Sequence, residues 1–348
     1  MAASRSHQDR ARPSRPSVAV APDGEYSLER TLAILATPQP QETVEAIEVA
    51  LKRHWRAELG ASRERETASA FSRAFHRIGF LRKYKSYGIK FSSPFGYSLF
   101  TLHDGKGFSV QVHQVAKVEA FHFFRCHEGS YAILSSEHDW HATSAEFLSE
   151  WSAGVLDDGP VGFRPKAGDV MVIDDLGVVH AVIGCVLEEY ATTSNDAVLR
   201  LHDQNAHDEV RLPERHPDLA EVLRPLALAP RGRVIRAQGV WQRQPLVDTG
   251  SVTSIVDMPD RGLRGLHIVV GEGEEHRLPA ESESVITLVG LEGAVSIEIA
   301  GAALMLTPGD SLPVAPGWDV TLRGTQDEGR IAVSIVREDL AFADLRTT

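Results

Sequence analysis

Four side chains with ligand or acid–base chemistry stand close together in the stretch Gly107–His122: Gln111, His113, Lys117 and Glu119. Side chains alternate along an extended strand, so Gln111 and His113 point to one face. Glu119, Phe121 and Phe123 share a face of the next strand, and a tight turn around Val115–Ala116 brings Glu119 back towards His113. An imidazole and a carboxylate aimed at one point suit a divalent metal, with an amide as a weak extra donor. The stretch Gly168–Ala181 offers another imidazole: Gly168 opens a strand, Gly177 turns the chain, and His180 begins the following strand. Two His and one carboxylate leave positions open for water and substrate. Without the metal, each His reads as a surface or satisfied core residue.

The elements that would position these residues are short strands. Tyr97–Leu102, Phe108–His113, Val118–Phe124 and Tyr131–Leu134 are rich in β-branched or aromatic residues and are separated by Gly, Asp and Ser turns. The same signature returns at Val170–Ile173, Val178–Ile183, Cys185–Ala191 and Ala197–Leu201. It recurs after Arg233 at Leu266–Val270, Ser284–Leu288, Ala294–Ile299 and Ile331–Val336. Two such blocks predict two small β-sandwiches or barrels, and the lack of βαβ alternation argues against a parallel doubly wound sheet. Gly271–Gly273 lacks the strand–turn–helix setting of a dinucleotide loop. Helical spacing precedes the first block: Ser27–Ala36, then Val44, Ile47, Leu51 and Trp55, then Ala68, Phe71, Phe75 and Ile78. Further helical patches lie at Ser144–Trp151 and Pro217–Leu228.

The expected organisation is a disordered tail over 1–26, a helical extension over 27–84, a metal-binding β domain over 85–216, a helical connector over 217–232, and a second, degenerate β domain over 233–340.

Composition narrows the function. The chain has 348 residues and a net charge of −12, which excludes the basic footprint of general nucleic-acid binding. Cys126 and Cys185 make neither a disulfide framework nor a four-thiolate zinc site, and point to a reducing, cytoplasmic setting. No apolar run is long enough to span a bilayer, and the Arg-bearing first 24 residues carry no apolar signal segment. Histidine is abundant at 15, and ten of these lie between His103 and His216. His103, His122, His127, His138 and His141 lack glycine framing; His122 has the opposite strand parity from Glu119 and should face away from the site.

The two glycine-framed blocks resemble the paired motifs of the cupin superfamily. The first, Gln111-Val-His113 followed by Lys117-Val-Glu119, is similar to the type I mannose-6-phosphate isomerases, which place Gln, His, Glu and His around zinc. The matching residues here are Gln111, His113, Glu119 and His180. The run from Val179-His180-Ala181 through Glu189, Ser194 and Asp196 to Arg200 and Asp203 resembles the downstream pattern of those enzymes, and Ser93-Pro-Phe-Gly96 is similar to their Lys-Pro-Trp-Gly motif. The resemblance spans 85–340 in architecture, with its specific motifs in 107–203. The His113–Glu119 segment is shorter than in those enzymes, the Ser-to-Arg spacing longer than in the bacterial form, and the helices at 27–80 lack a counterpart. Gly309–Val320 reads as a second motif without its His; Asp319 and Val320 occupy that place, and His267 and His276 complete no ligand set.

The resemblance implies a mainly β chain of two cupin (jelly-roll β-barrel) domains, the second without metal. It also implies an aldose–ketose isomerase acting on a sugar or sugar phosphate through an enediol, with zinc as the expected metal and iron or manganese as alternatives. Glu189 is then the candidate base or orienting carboxylate, Lys117 an acid–base group or substrate contact, and Arg200 an oxyanion or phosphate binder. Glu189 and Arg200 could equally form a structural pair. Two other readings stand: an Fe(II)-dependent bicupin oxygenase, since two His and a carboxylate also describe the non-haem iron triad, and a non-catalytic sugar-binding bicupin.

Overall fold

The computed structural model describes residues 78–79, 81–85, 88–93, 96–113, 117–134, 162–173, 178, 180–192, 198–203, 209–210, 239–242, 247–299, 301–314, 316–326 and 328–341. The tail, the helices read at 27–36, 44–55 and 68–77, the helical patches at 144–151 and 217–228, and the turn at 115–116 lie outside these residues. The described chain is mainly β in antiparallel sheets, the fold class expected of two cupin-type units. No helix among the described residues is long and apolar enough to cross a membrane.

Strand β1 is Ile78–Gly79. Then come β2 (Leu81–Lys85), β3 (Gly88–Ser93), β4 (Tyr97–Leu102), β5 (Val110–His113), β6 (Glu119–Leu134), β7 (Gly162–Phe163), β8 (Val170–Ile173), β9 (His180–Ala191), β10 (Val198–Asp203), β11 (Glu209–Val210) and β12 (Gly239–Gln242). Strands β2 to β12 form one sheet, with the path β11-β10-β5-β9-β4-β3-β2 and with β6 pairing β7, β8 and β9. The later strands are β13 (Val247–Asp248), β14 (Val252–Met258), β15 (Leu263–Val270), β16 (Glu275–Leu278), β17 (Ser284–Glu292), β18 (Val295–Ile299), β19 (Ala302–Leu306), β20 (Asp310–Val314), β21 (Val320–Gly324) and β22 (Gly329–Arg337). They build a sheet ordered β1-β20-β17-β22-β15-β14-β13 and a smaller one ordered β16-β21-β18-β19.

Two pairings cross between the blocks. Strand β1 pairs with β20, far along the chain, and β12 returns to pair with β8. The end of the expected helical extension is also corrected: Ile78–Gly79 and Leu81–Lys85 are strands, not helix. Leu81-Arg-Lys-Tyr-Lys85 lies at a sheet edge, where charged residues discourage edge-to-edge pairing. Such a strand shows no alternating apolar signal.

Each long strand of the first unit feeds two cores. On β6, Phe121 and Phe123 join Phe100, Leu102, Phe108, Met171 and Leu187 inside the first unit. Ala120, from the other face, joins Tyr97, Val118 and Tyr190 against the second unit's Ile268, Val333 and Val336. The units meet closely. A Cβ on Gly265 would sit 2.7 Å from the Tyr190 ring, so only glycine lets β15 approach β9 this closely. Gly96, at φ +75°, packs against Val336 and Ala191, and its carbonyl accepts from Ser334 Oγ at 3.0 Å.

Strand β9 does not keep one parity. Gly184 adopts φ +67° where the β6 register shifts between Cys126 and Tyr131. A bulge resets which side chains face inward. Val182 before it and Cys185 and Leu187 after it therefore share the inner core, although Leu187 lies five positions, an odd offset, after Val182. The same reset lets His180 and Glu189 contribute to one polar cluster.

Candidate metal centre

His113 ends β5, Glu119 begins β6 and His180 begins β9, so three strand ends deliver the ligand candidates to one place. His113 Nε2 lies 3.0 Å from Glu119 Oε2, and His180 Nε2 lies 3.7 Å from the same oxygen. The two imidazoles meet edge to face, with centroids 4.8 Å apart. Gln111 pairs with His180 in strand register and holds its Nε2 3.2 Å from His180 Nε2. The four residues read as Gln111, His113, Glu119 and His180 are thus brought together. His113, Glu119 and His180 are buried; Gln111 is half-buried.

The donor chemistry fits a divalent cation. His180 Nδ1 lies 3.0 Å from the Val178 carbonyl and can only donate to it, which leaves Nε2 as an acceptor, here of the Gln111 side-chain N–H. Burial, and after it His113, push the His180 pKa down to about 3, so the ring is neutral at physiological pH as a metal ligand must be. Burial pushes the Glu119 carboxyl up, but Lys117, His113 and His180 outweigh it and hold it well below the usual carboxylate range. The donor set therefore includes a neutral imidazole at His180 and an anion at Glu119, with the His113 imidazole beside them. His113 Nδ1 is buried without a hydrogen-bond partner among the described residues.

A proton-handling group borders the ligands. Lys117 is buried and ion-paired to Glu119 Oε1, and its Nζ lies 3.2 Å from Glu189 Oε1. Burial works against the ammonium, yet Glu119 and Glu189 hold its pKa above the ordinary value. Burial pushes Glu189 up despite Lys117 and Lys90. Lys90, on β3, completes the row: its Nζ stands 3.8 Å from Glu189 Oε2 and 5.0 Å from the centre of the Phe100 ring. Sequence reading missed Lys90, because the residue lies 21 positions before Gln111 with only its alternation with Ser92 to mark it. Arg200 enters through its backbone, which pairs with Gln111.

A second group lies on the opposite face. His122 Nδ1 is 2.8 Å from Glu188 Oε1, His267 Nε2 is 2.6 Å from the same oxygen, and the Tyr97 hydroxyl donates to Oε2 at 2.8 Å. His122 does face away from the first site, as its parity requires, but it is not bland. Glu188 carries no motif of its own, and His267, which completes no ligand set in sequence, meets it only through the docking of the two units.

The second unit shows the Asp319 carboxylate accepting from the Ala280 amide at 2.8 Å, a contact between segments 39 residues apart. His276 lies 4.0 Å from Glu274 and is grouped with no further ligand among the described residues.

No protein-family description matches this sequence, and no curated protein matches it. Among solved structures the chain is similar to the mannose 6-phosphate isomerase of Bacillus subtilis, at 18% identity over 68% of this chain and 74% of that one, with a TM-score of 0.48. It is also similar to oxalate decarboxylase from Bacillus subtilis, at 12% identity over 76% of each chain and a TM-score of 0.48. Procruciferin, an 11S globulin from Brassica napus, is similar at 9% identity over 76% of this chain and 84% of that chain, with a TM-score of 0.49. Likenesses this distant add no residue and no activity; the fold class and the site rest on the strands and distances above.

Proposed function

We propose that this chain is a metal-dependent aldose–ketose isomerase acting on a sugar or sugar phosphate, with zinc at Gln111, His113, Glu119 and His180. One observation carries the reading: the His113–Glu119–His180 donor set shares a buried cluster with the Lys117–Glu189 pair. The motif resemblance of Gln111–Glu119 and Val179–Asp203 to type I mannose-6-phosphate isomerases supports the same class.

The reaction moves a proton between neighbouring carbons and between their oxygens. Bound at the three donors, a divalent ion supplies Lewis-acid stabilisation of the negative charge that develops on the substrate's oxygens. Glu189 removes the carbon-bound proton and returns it to the neighbouring carbon. Its raised pKa suits it to holding that proton during the transfer. Lys117 orients Glu189 and can donate to a substrate oxygen. Arg200 stabilises an oxyanion or a phosphate. The protein is proposed to work in the cytoplasm on a small molecule, without nucleic acid or membrane.

The test is incubation of metal-loaded protein with mannose 6-phosphate, and with a panel of aldoses and aldose phosphates, in deuterated water. Deuterium at C1 or C2 of recovered sugar is the expected result. Absence of exchange across the panel, with oxygen consumed by iron-loaded protein, would instead favour the oxygenase, whose triad has the same donor composition. Sugar binding without exchange or oxygen uptake would mark a binding protein.

A further inference from the structure

We infer that His122, Glu188 and His267 form a second divalent-metal site, one that clamps the two β units together. The site is distinct from the first and does not depend on the isomerase reading. His122 comes from β6, Glu188 from β9 and His267 from β15, so two donors belong to the first unit and one to the second.

The geometry carries the inference. The ligand atoms, two imidazole nitrogens and a carboxylate oxygen, all lie within 4.8 Å of one another. The side chains are 9%, 0% and 10% exposed for His122, Glu188 and His267. His267 Nε2 is the telling atom. It stands 2.6 Å from Glu188 Oε1, an ion-pair contact that is not aligned as a regular hydrogen bond, and no other described residue bonds to it. A cation shared by that nitrogen, His122 Nδ1 and Glu188 Oε1 would satisfy all three buried atoms at once.

The surroundings hold the donors as a metal site requires. The His267 ring stacks on Phe124, with centroids 5.8 Å apart and planes 10° apart, and meets His122 edge to face at 5.3 Å. Tyr97 occupies the remaining Glu188 oxygen, the kind of outer contact that orients a ligating carboxylate. A carboxylate buried this completely needs a compensating charge at hydrogen-bonding or coordination distance. Two His and a carboxylate suit Zn²⁺ or a similar borderline ion. Because the donors straddle the units, loading is coupled to their docking.

The test counts metal on the full-length chain. Protein purified without chelator and saturated with zinc is expected to hold two equivalents. His267→Gln should hold one and keep the first site's metal, while His113→Ala should also hold one, and the double variant none. Chelator should lower the melting temperature of the unaltered protein more than that of His267→Gln. If His267→Gln does not fold, Co²⁺ titration of the unaltered apoprotein and anomalous scattering from zinc-loaded crystals decide the matter. Saturation at two equivalents, with a peak between His122, Glu188 and His267, supports the clamp. One equivalent that His113→Ala abolishes and His267→Gln does not would overturn the clamp and leave the first site standing. One equivalent that His267→Gln abolishes and His113→Ala retains would uphold the clamp and remove the metal from the proposed isomerase.

Discussion

The two β units bury different kinds of residue. The first buries Lys90, His113, Lys117, Glu119, His122, Asp169, His180, Glu188 and Glu189, whereas His267 is the one titratable side chain buried among the described residues of the second. The second unit fills its interior with residues such as Ile286, Leu288, Ile297, Leu312, Leu322 and Val333. Charge burial is unfavourable unless each group is paired, so a unit that tolerates this many ionisable groups has given up packing for chemistry. The aliphatic unit adds a second apolar core, contiguous with Tyr97, Val118 and Tyr190 of its neighbour.

That contrast can be broken by substitution. The largest effect is expected at the first site: His113→Ala or His180→Ala should lose that site's metal and bring proton exchange to background while circular dichroism stays native. Full metal occupancy in either variant would remove the proposed centre. Lys117→Met should follow, because it leaves Glu119 and Glu189 buried without their ammonium partner. A stability loss of about 3–5 kcal/mol is expected from denaturant melts, together with loss of exchange. In the second unit, Leu288→Ala should cost about 2–5 kcal/mol through a cavity, with exchange per folded molecule and first-site metal unchanged. Activity loss there without a shift in the melt would erase the division between the units. The smallest effect is expected at the seam. Gly265→Ala drives a methyl against the Tyr190 ring and should cost about 1–3 kcal/mol, read as a lower melting temperature with the first site's metal retained.

The meeting of Gln111, His113, Glu119 and His180 was legible in sequence because its parts are local. Gln111 and His113 alternate on one strand, Glu119 shares the parity of Phe121 and Phe123, and His180 stands at the start of a glycine-framed strand. The mainly β class followed from the same alternation. Other features needed the third dimension. Glu189 reaches the side of β9 that carries His180 only because the Gly184 bulge resets parity, and a bulge leaves no mark beyond one glycine. His267 lies 79 residues beyond Glu188, in a unit whose own motif is incomplete, so no spacing rule connects them. The helical reading through residue 84 failed at Ile78–Lys85 because Ile78 continued the spacing of Ala68, Phe71 and Phe75, while the charged edge strand after it offered no apolar rhythm to contradict it.

The crossed pairings of β1 with β20 and of β12 with β8 have a practical bearing on anyone wishing to cut the gene in two. A break anywhere from 211 to 238 separates β1 from the sheet it borders and β12 from the strand it covers. Each half would then present an uncovered edge, Asp310–Val314 in one fragment and Val170–Ile173 in the other, free to recruit a foreign strand. The two fragments should therefore be poorly soluble when expressed apart and recover when expressed together, so the chain is best handled as one indivisible piece.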